Sequence, residues 1–190
     1  MNILVIGSGG REHTIVWKLA QNKNRDKIYC APGNPGIGEL AELIPLEVTD
    51  INGLKKFAIS HHIDITVVGP EVPLSLGISD IFSEACLAIF GPLKKASLLE
   101  TSKIFAKEFM ARNNIPTADF KIFSNSKDAI DFLKNVVYPV VIKADGLAQG
   151  KGVIVAENYN EAFEAVNKIM VNKIFGNAGN KILIENFLIG

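Results

Sequence analysis

Residues 140–155 decide the fold, and they read Val-Val-Ile-Lys-Ala-Asp-Gly-Leu-Ala-Gln-Gly-Lys-Gly-Val-Ile-Val. Two β-branched runs flank a glycine-rich loop, which predicts a β-hairpin whose main-chain amides close over a polyphosphate. A Walker A loop is excluded, because three residues rather than four separate Gly146 from the Gly150-Lys151 pair. In addition, Gly152 replaces the required Ser or Thr. The loop also leads into a strand, whereas a Walker loop opens a helix.

Lys143 stands in the apolar run that enters this glycine hairpin. An ammonium group in such a strand must find an anion or bear the cost of desolvation. Two kinds of partner are open: a nucleotide phosphate, or a structural carboxylate such as Asp145 or Glu185. Lys103, in Thr-Ser-Lys-Ile-Phe-Ala-Lys at 101–107, stays ambiguous because a helical lysine is usually solvated.

The first ninety residues alternate short apolar runs with amphipathic stretches, which predicts βαβ units and a mostly parallel sheet. The predicted strands are Ile3–Ile6, 27–31, 64–69 and 87–90, with a further apolar segment at 43–46. Helices are predicted over roughly 12–21, 51–60 and 74–85.

The remaining residues have a different pattern, which indicates a small α+β domain. Its predicted helices are 101–113, 125–135 (capped by Ser124 or Asn125) and 160–171. Its predicted strands are 119–123, 139–143, 152–156 and 181–185. We place the boundary between the two patterns near residues 92–117, where Gly91-Pro92 and Ile115-Pro116 flank a linking helix.

Glycine-rich loops follow two strands of the predicted parallel sheet. Gly7-Ser-Gly-Gly-Arg-Glu-His13, the first glycine loop, directs main-chain amides toward an anion at a helix N-terminus. Glu12 occupies the third glycine position of the dinucleotide fingerprint, so NAD is disfavoured and a single phosphate stays open. Glu71, in Val68–Leu74, suits a ribose hydroxyl or an amine. Plain tight turns are the alternative for both loops, and Asn34-Pro-Gly36 is a weaker third candidate.

Composition excludes several classes of protein. Twenty basic and twenty acidic residues give no net charge, which argues against a polybasic nucleic-acid arm. Two cysteines favour a reducing compartment, and no uninterrupted apolar stretch approaches the ~20 residues of a membrane span. No zinc spacing or nucleophile elbow is present. We therefore expect a soluble cytoplasmic protein with no nucleic-acid or membrane partner.

Together these motifs resemble the glycinamide ribonucleotide synthetase family, also called phosphoribosylamine–glycine ligase, of the ATP-grasp superfamily. The resemblance rests on residues 7–13, 31–36, 69–74, 101–112 with 115–118, 143–155 and 184–188. It implies an α/β fold: an amino-terminal Rossmann-like (pre-ATP-grasp) parallel-sheet domain at 1–100, a linker helix at 101–122 that starts the ATP-grasp domain, and a truncated small α+β ATP-grasp lid subdomain at 123–190.

The resemblance also implies a function in purine biosynthesis. Such a ligase uses ATP to activate glycine as glycyl phosphate, which 5-phosphoribosylamine then attacks. Alternatives are another ATP-grasp carboxylate–amine ligase, a non-catalytic nucleotide-binding module, or an NAD-binding domain. Because family members continue well beyond Gly190, we expect this chain to be an amino-terminal part that is inactive alone, and a monomer.

Site residues are carried over by motif, and none is assigned a catalytic role. The expected ATP-binding residues are Lys103, Lys143, Gly146, Gly150, Lys151, Gly152, Glu185, Phe187 and Leu188. Those expected to face phosphoribosylamine are Gly9, Gly10, Arg11, Asn34, Gly69, Pro70 and Glu71. Ligands of the metal cofactor, Mg²⁺ or Mn²⁺, are expected beyond Gly190. Gln149 and Asn186 depart from the residues usual in the family.

Overall fold

The computed structural model describes residues 1–23, 27–147 and 151–189. By its internal contacts the chain divides into two compact units, Met1–Ser97 and Leu98–Gly190. Each unit has its own sheet, and the sheets differ in kind: the first is parallel and the second is antiparallel. The α/β class predicted from the sequence is confirmed.

Unit 1 is built on a five-stranded parallel sheet of order β3-β2-β1-β4-β5. Its strands are β1 (Asn2–Gly7), β2 (Lys27–Pro32), β3 (Glu42–Leu43), β4 (Ile65–Val68) and β5 (Ile89–Phe90). Its helices are α1 (Gly10–Ala20), α2 (Ile51–Ser60), α3 (Glu71–Ser75) and α4 (Ile78–Glu84). A further helix, α5 (Lys94–Thr101), contains the boundary between the units.

The central strand β1 is apolar without alternation because both of its faces are covered. Leu4 and Ile6 belong to the core cluster that includes residues of α2 and α4. Ile3 and Val5 belong to a second cluster with Val16 of α1. Helices on both faces are the usual environment of a parallel sheet, and the arrangement leaves the ends of the strands accessible to loops.

Unit 2 contains a four-stranded antiparallel sheet of order β6-β9-β7-β8. Its strands are β6 (Phe120–Phe123), β7 (Val140–Ala144), β8 (Val153–Ala156) and β9 (Ile182–Asn186). Its helices are α6 (Lys103–Arg112), α7 (Ser126–Leu133) and α8 (Tyr159–Val166), and the last continues as a π-helical turn over Asn167–Val171.

One face of this sheet forms the core of unit 2 against α7 and α8. Val140, Ile142 and Ile184 point into that core, so the alternate residues of β7 and β9 lie on the opposite face. Those alternate residues include Lys143 and Glu185. The strand period therefore places the chemically informative side chains on the face away from the helical core.

Several boundaries differ from the sequence prediction. The predicted helix 74–85 is two helices, because Gly77 has a φ of +89° that interrupts the helical path. The first of them begins earlier, at Glu71, since Pro73 is tolerated in a first turn. The segment predicted at 43–46 contributes only the two residues of β3.

The linking helix and the last predicted helix also differ. Residues 101–113 are not one helix: α6 begins at Lys103 because the Ser102 side chain caps it, and the prediction missed α5. The predicted helix 160–171 is α-helical only to Val166. Within the described ranges, no helix has the length and apolarity that crossing a membrane requires.

Candidate functional site

The centre of the candidate site in unit 2 is an ion pair between Lys143 and Glu185. In the antiparallel register Val141 of β7 lies opposite Glu185 of β9, and Lys143 lies opposite Leu183. Lys143 and Glu185 are therefore diagonal neighbours on one face of the sheet. Glu185 is buried at 7% exposure, whereas the Lys143 side chain is 24% exposed. The sequence analysis named Asp145 and Glu185 as possible carboxylate partners of Lys143, and the structure shows that the partner is Glu185.

A second lysine, Lys107 of α6, contacts the same carboxylate. Its Nζ lies 2.6 Å from Oε2 of Glu185. The ammonium also donates to Oγ1 of Thr117 at 2.6 Å and to the carbonyl of Ala118 at 3.1 Å. Sequence reasoning did not assign a role to Lys107. Its position four residues after Lys103, on the same face of α6, was the available signal.

Lys103 lies beside the loop that follows β7. Its Nζ donates to the carbonyl of Gly146 at 3.0 Å, and Gly146 has a φ of +139°, where a side chain would be strained. The adjacent Asp145 accepts hydrogen bonds from Oγ of Ser102 at 2.9 Å and from the amide of Ile104 at 3.1 Å. These contacts hold the first turn of α6, and with it Lys103, against the end of β7.

The remaining predicted ATP-binding residues follow the hairpin and β9. Lys151 is exposed, and the carbonyl of the buried Gly152 accepts from the amide of Ala144 at 2.9 Å, which extends the β7–β8 pairing. Phe187 and Leu188 follow β9 and are 41% and 68% exposed. Gly150 and Gln149 lie outside the described residues.

The second candidate site lies at the carboxyl edge of the parallel sheet in unit 1, and its central side chain is Glu12. The Glu12 carboxylate is buried and accepts from the amide of Gly9 at 2.7 Å and from Nε of Arg11 at 3.0 Å. Arg11 also approaches Glu71, with 3.5 Å between Nη2 and Oε2. The hydrogen bond to Glu12 is the main cause that raises the pKa of Arg11 above its usual range.

Glycines around Glu12 serve mainly to accommodate its side chain. A Cβ added to Gly7, which has a φ of +128°, or to Gly69 would overlap the Glu12 side chain. Gly10, by contrast, has no atom within 4 Å of an added Cβ. Gly10 therefore leaves open space beside the start of α1, whereas Gly7 and Gly69 leave room for the Glu12 side chain.

The other predicted phosphoribosylamine residues are joined to the same edge. Nδ2 of Asn34 donates to the carbonyl of Ser8 at 2.8 Å, and Oδ1 of Asn34 accepts from the amide of Ile37 at 3.0 Å. Pro70 is the cap residue of α3, the helix that Glu71 begins. The loops after β1, β2 and β4 thus meet at one edge of the sheet, as expected for adjacent parallel strands.

The described residues contain no group of three or more His, Cys, Asp or Glu side chains placed to hold a metal ion. The lysines and amides of unit 2 fit the phosphates of a nucleotide, but the described carboxylates do not fit a divalent cation.

A parallel sheet with glycine loops at its carboxyl edge, followed by an antiparallel sheet with a strand lysine and a glycine hairpin, defines the amino-terminal half of an ATP-grasp enzyme. Residues 1–100 match the family model described as "Phosphoribosylglycinamide synthetase, N domain", and residues 101–190 match the "Phosphoribosylglycinamide synthetase, ATP-grasp (A) domain". The chain belongs to the phosphoribosylglycinamide synthetase family.

Similar proteins carry consistent names. The chain is 53% identical over 190 residues to a phosphoribosylamine–glycine ligase of Caldanaerobacter subterraneus subsp. tengcongensis, covering 100% of this chain and 46% of that protein. A Yersinia pestis protein of the same name is 51% identical over 192 residues, with 100% and 45% covered. The chain thus spans slightly less than half the length of these relatives.

Solved structures agree on the fold. The phosphoribosylamine–glycine ligase of Thermotoga maritima superposes with a TM-score of 0.79 at 29% identity, covering 100% of this chain and 44% of that one. The biotin carboxylase domain of Hydrogenobacter thermophilus 2-oxoglutarate carboxylase, solved with MgADP, gives 0.78 at 17% identity, with 98% and 44% covered. The second likeness supports the ATP-grasp fold alone.

Proposed function

We propose that this chain supplies the phosphoribosylamine-binding part and the phosphate-binding lid of a phosphoribosylamine–glycine ligase. In that reaction the γ-phosphoryl group of ATP passes to the carboxylate of glycine, and ADP leaves. The amine of phosphoribosylamine then attacks the acyl carbon, phosphate leaves and the amine loses a proton. The observation that carries the proposal is the match of both family models, in order, over residues 1–190.

The ATP-binding part of the proposal rests on the positive charge around the glycine hairpin. Lys103 lies against the loop after β7, and Lys143 lies on the face of the sheet opposite α7 and α8. Phosphoryl transfer depends mainly on positioning and on neutralising the charge of the transferred group. Lys103 and Lys143 supply part of that charge, and the amides of Gly146–Gly152 supply donors.

The phosphoribosylamine part rests on the sheet edge of unit 1. Arg11 has a side chain that is 60% exposed, and the open Gly10 begins α1. A guanidinium beside a helix N-terminus suits a phosphate group, and the half-buried Glu71 suits the amine or a ribose hydroxyl. The Glu12 carboxylate already binds the amide of Gly9, which argues further against a dinucleotide pyrophosphate in this loop.

The proposal includes a divalent metal cofactor. Mg²⁺ or Mn²⁺, when bound, would neutralise phosphate charge, and we assign its ligands to the section of the relatives that this chain does not span.

The proposed domain division is 1–100, 101–122 and 123–190. Cys30 and Cys86 are free thiols, which supports a reducing compartment such as the cytoplasm. A monomeric state stays a prediction.

Thermal shift with separate ligands tests this assignment against its alternatives. ATP and ribose 5-phosphate should each raise the melting temperature, and NAD⁺ should not. Lys143→Met should remove the effect of ATP alone and Arg11→Met that of ribose 5-phosphate alone, with the exposed Arg112→Met as the matched control. A shift with NAD⁺ and none with ATP would contradict the proposal in favour of a dinucleotide-binding domain.

A further inference from the structure

Among the described residues, Lys107 is the one lysine that is buried, at 8% exposure. Burying an ammonium group is costly unless it is paired and hydrogen-bonded. Its Nζ has three N–H donors and three oxygen partners: Thr117, Ala118 and Glu185. Two donors make hydrogen bonds to Thr117 and Ala118, and the ammonium forms an ion pair with Oε2 of Glu185, so Lys107 is held in place by the protein.

Lys143 differs from Lys107 in its exposure and in the number of its protein partners. Its side chain is more exposed, at 24% against 10%, and its ion-pair partner is Oε1 of Glu185. An ammonium with one protein partner keeps donors for a second anion. The two lysines therefore share a carboxylate but play different parts: Lys107 is fixed by the fold, and Lys143 faces outward.

The charges of this lysine–glutamate cluster (Lys107, Lys143 and Glu185) do not balance. Two ammonium groups and one carboxylate leave one positive charge on this part of the sheet face. If Lys107 were neutral, the Glu185 carboxylate would pair with Lys143 alone and cancel its charge. Because the hydrogen bonds to Thr117 and Ala118 hold Lys107 beside Oε2, its charge offsets part of the carboxylate charge, and Lys143 is only partly neutralised.

We propose that Lys107 is a positioning residue that neutralises Glu185, so that the charge of Lys143 remains available to the phosphates of a bound nucleotide. This inference rests on the proposed function, because it takes the face beside the glycine hairpin to be the ATP site. Lys107 does not touch the nucleotide. It acts through Glu185, which it holds in place and whose charge it offsets.

A simpler alternative is that Lys107 only fastens α6 to β9. The two roles differ in what a second substitution does. If Lys107 is purely structural, removing Glu185 as well cannot restore binding. If Lys107 acts on charge, replacing Glu185 by glutamine frees Lys143 again, and nucleotide binding recovers in the double variant.

The test is a double-mutant cycle on the 190-residue chain with Lys107→Met, Glu185→Gln and the pair together. Dissociation constants for ATP and for adenosine are measured by calorimetry, and folding is checked by circular dichroism. Lys107→Met should weaken ATP binding by about tenfold or more, the loss expected for a charge-assisted bond. Adenosine binding should stay within about twofold, and the double variant should recover most of the ATP affinity.

The exposed pair Lys168 and Glu164 provides the matched control. Lys168→Met, Glu164→Gln and their combination should leave both constants unchanged. If Lys107→Met does not fold, the comparison uses Lys107→Arg and the double variant instead. The double variant has no unpaired buried charge. Equal losses for ATP and adenosine, or no recovery in the double variant, would overturn the inference but not the proposed function. Absence of ATP binding by the unsubstituted chain would overturn the proposed function and the inference together.

Discussion

At the residue scale, Glu12 organises the first glycine loop of unit 1. Its buried carboxylate caps α1 by accepting from the amide of Gly9, and it also binds Arg11. Space for this side chain exists because Gly7 and Gly69 have no Cβ. The spacing of these glycines in the sequence does not show that a glutamate from the following helix fills the space beside them.

Gly69→Ala should therefore destabilise unit 1. The added Cβ overlaps the Glu12 side chain, and overpacking of this kind costs about 1–3 kcal/mol. Gly10→Ala is the matched control, because its added Cβ meets no atom within 4 Å. Its effect should stay within about 0.5 kcal/mol. Urea unfolding of both variants gives the comparison, and equal costs would contradict this account of Glu12.

Lys143→Met tests the role of the strand lysine. Methionine keeps most of the apolar stem and removes the charge, so ATP binding should weaken by about 1.5–3 kcal/mol, the range for a hydrogen bond to a charged group. The exposed Lys168→Met should have no effect on ATP affinity. Titration calorimetry measures both. Unchanged ATP affinity in a folded Lys143→Met variant would mean that Lys143 only forms a structural ion pair with Glu185 and does not bind the nucleotide.

The two cysteines should react differently with alkylating reagents. Burial raises the pKa of the Cys30 thiol to about 12, so almost no thiolate forms at pH 8, and the group is also shielded. Cys86 is exposed. Iodoacetamide at pH 8 should modify Cys86 alone in the folded protein and both residues in urea, as mass spectrometry of peptides would show. Rapid native labelling of Cys30 would contradict the packing of β2.

At the scale of elements, the start of α6 links the helix to the glycine hairpin. Ser102 caps α6 by accepting from the amide of Phe105, and its hydroxyl donates to Asp145 at the end of β7. The sequence predicted an amphipathic helix here but placed its start too early, because a Ser followed by Lys does not reveal that the cap also contacts a strand forty residues later.

Ser102→Ala should destabilise unit 2 by about 1–2 kcal/mol, since it removes a helix cap and one partner of Asp145. Asn125→Ala is the control, because Asn125 caps α7 through the amide of Lys127 in an exposed position. Its loss should be nearer 0.5–1 kcal/mol. Urea unfolding followed by circular dichroism ranks the two. A larger cost for Asn125→Ala would contradict the special role of the α6 cap.

The strand patterns explain how much of each element was predictable. Both strands of the hairpin and the last strand were expected within one residue of their observed bounds, because β-branched runs between turn residues are a strong local signal. The break at Gly77 and the π-helical turn after Val166 carry no comparable signal. Lys107 was missed for the same reason: its three partners come from Thr117, Ala118 and β9, and helical spacing does not show such contacts.

At the scale of the whole molecule, the chain combines a parallel-sheet unit and an antiparallel-sheet unit, and each has its own hydrophobic core. Both belong to one enzyme family, and the relatives are more than twice as long as this chain. The described residues contain no cluster of His, Cys, Asp or Glu side chains placed to hold a metal ion.

The 190-residue chain should not ligate glycine by itself. Phosphoryl transfer needs more charge neutralisation than lysines and amides provide, and the proposed metal ligands belong to the section that the relatives add. The chain incubated with ATP, Mg²⁺, glycine and freshly generated phosphoribosylamine should give no glycinamide ribonucleotide by mass spectrometry. Product at a rate comparable with a full-length relative would show that those ligands are dispensable.

A hybrid enzyme tests the central claim most directly. In it, this chain replaces the aligned 190 residues of the Caldanaerobacter subterraneus ligase, to which it is 53% identical, and the rest of that protein is kept. The measurement is ADP release that depends on both glycine and phosphoribosylamine. Our account predicts an active hybrid whose KM for ATP rises about tenfold or more with Lys143→Met. A folded hybrid that binds ATP but forms no glycinamide ribonucleotide, or that requires a different acid, would contradict it.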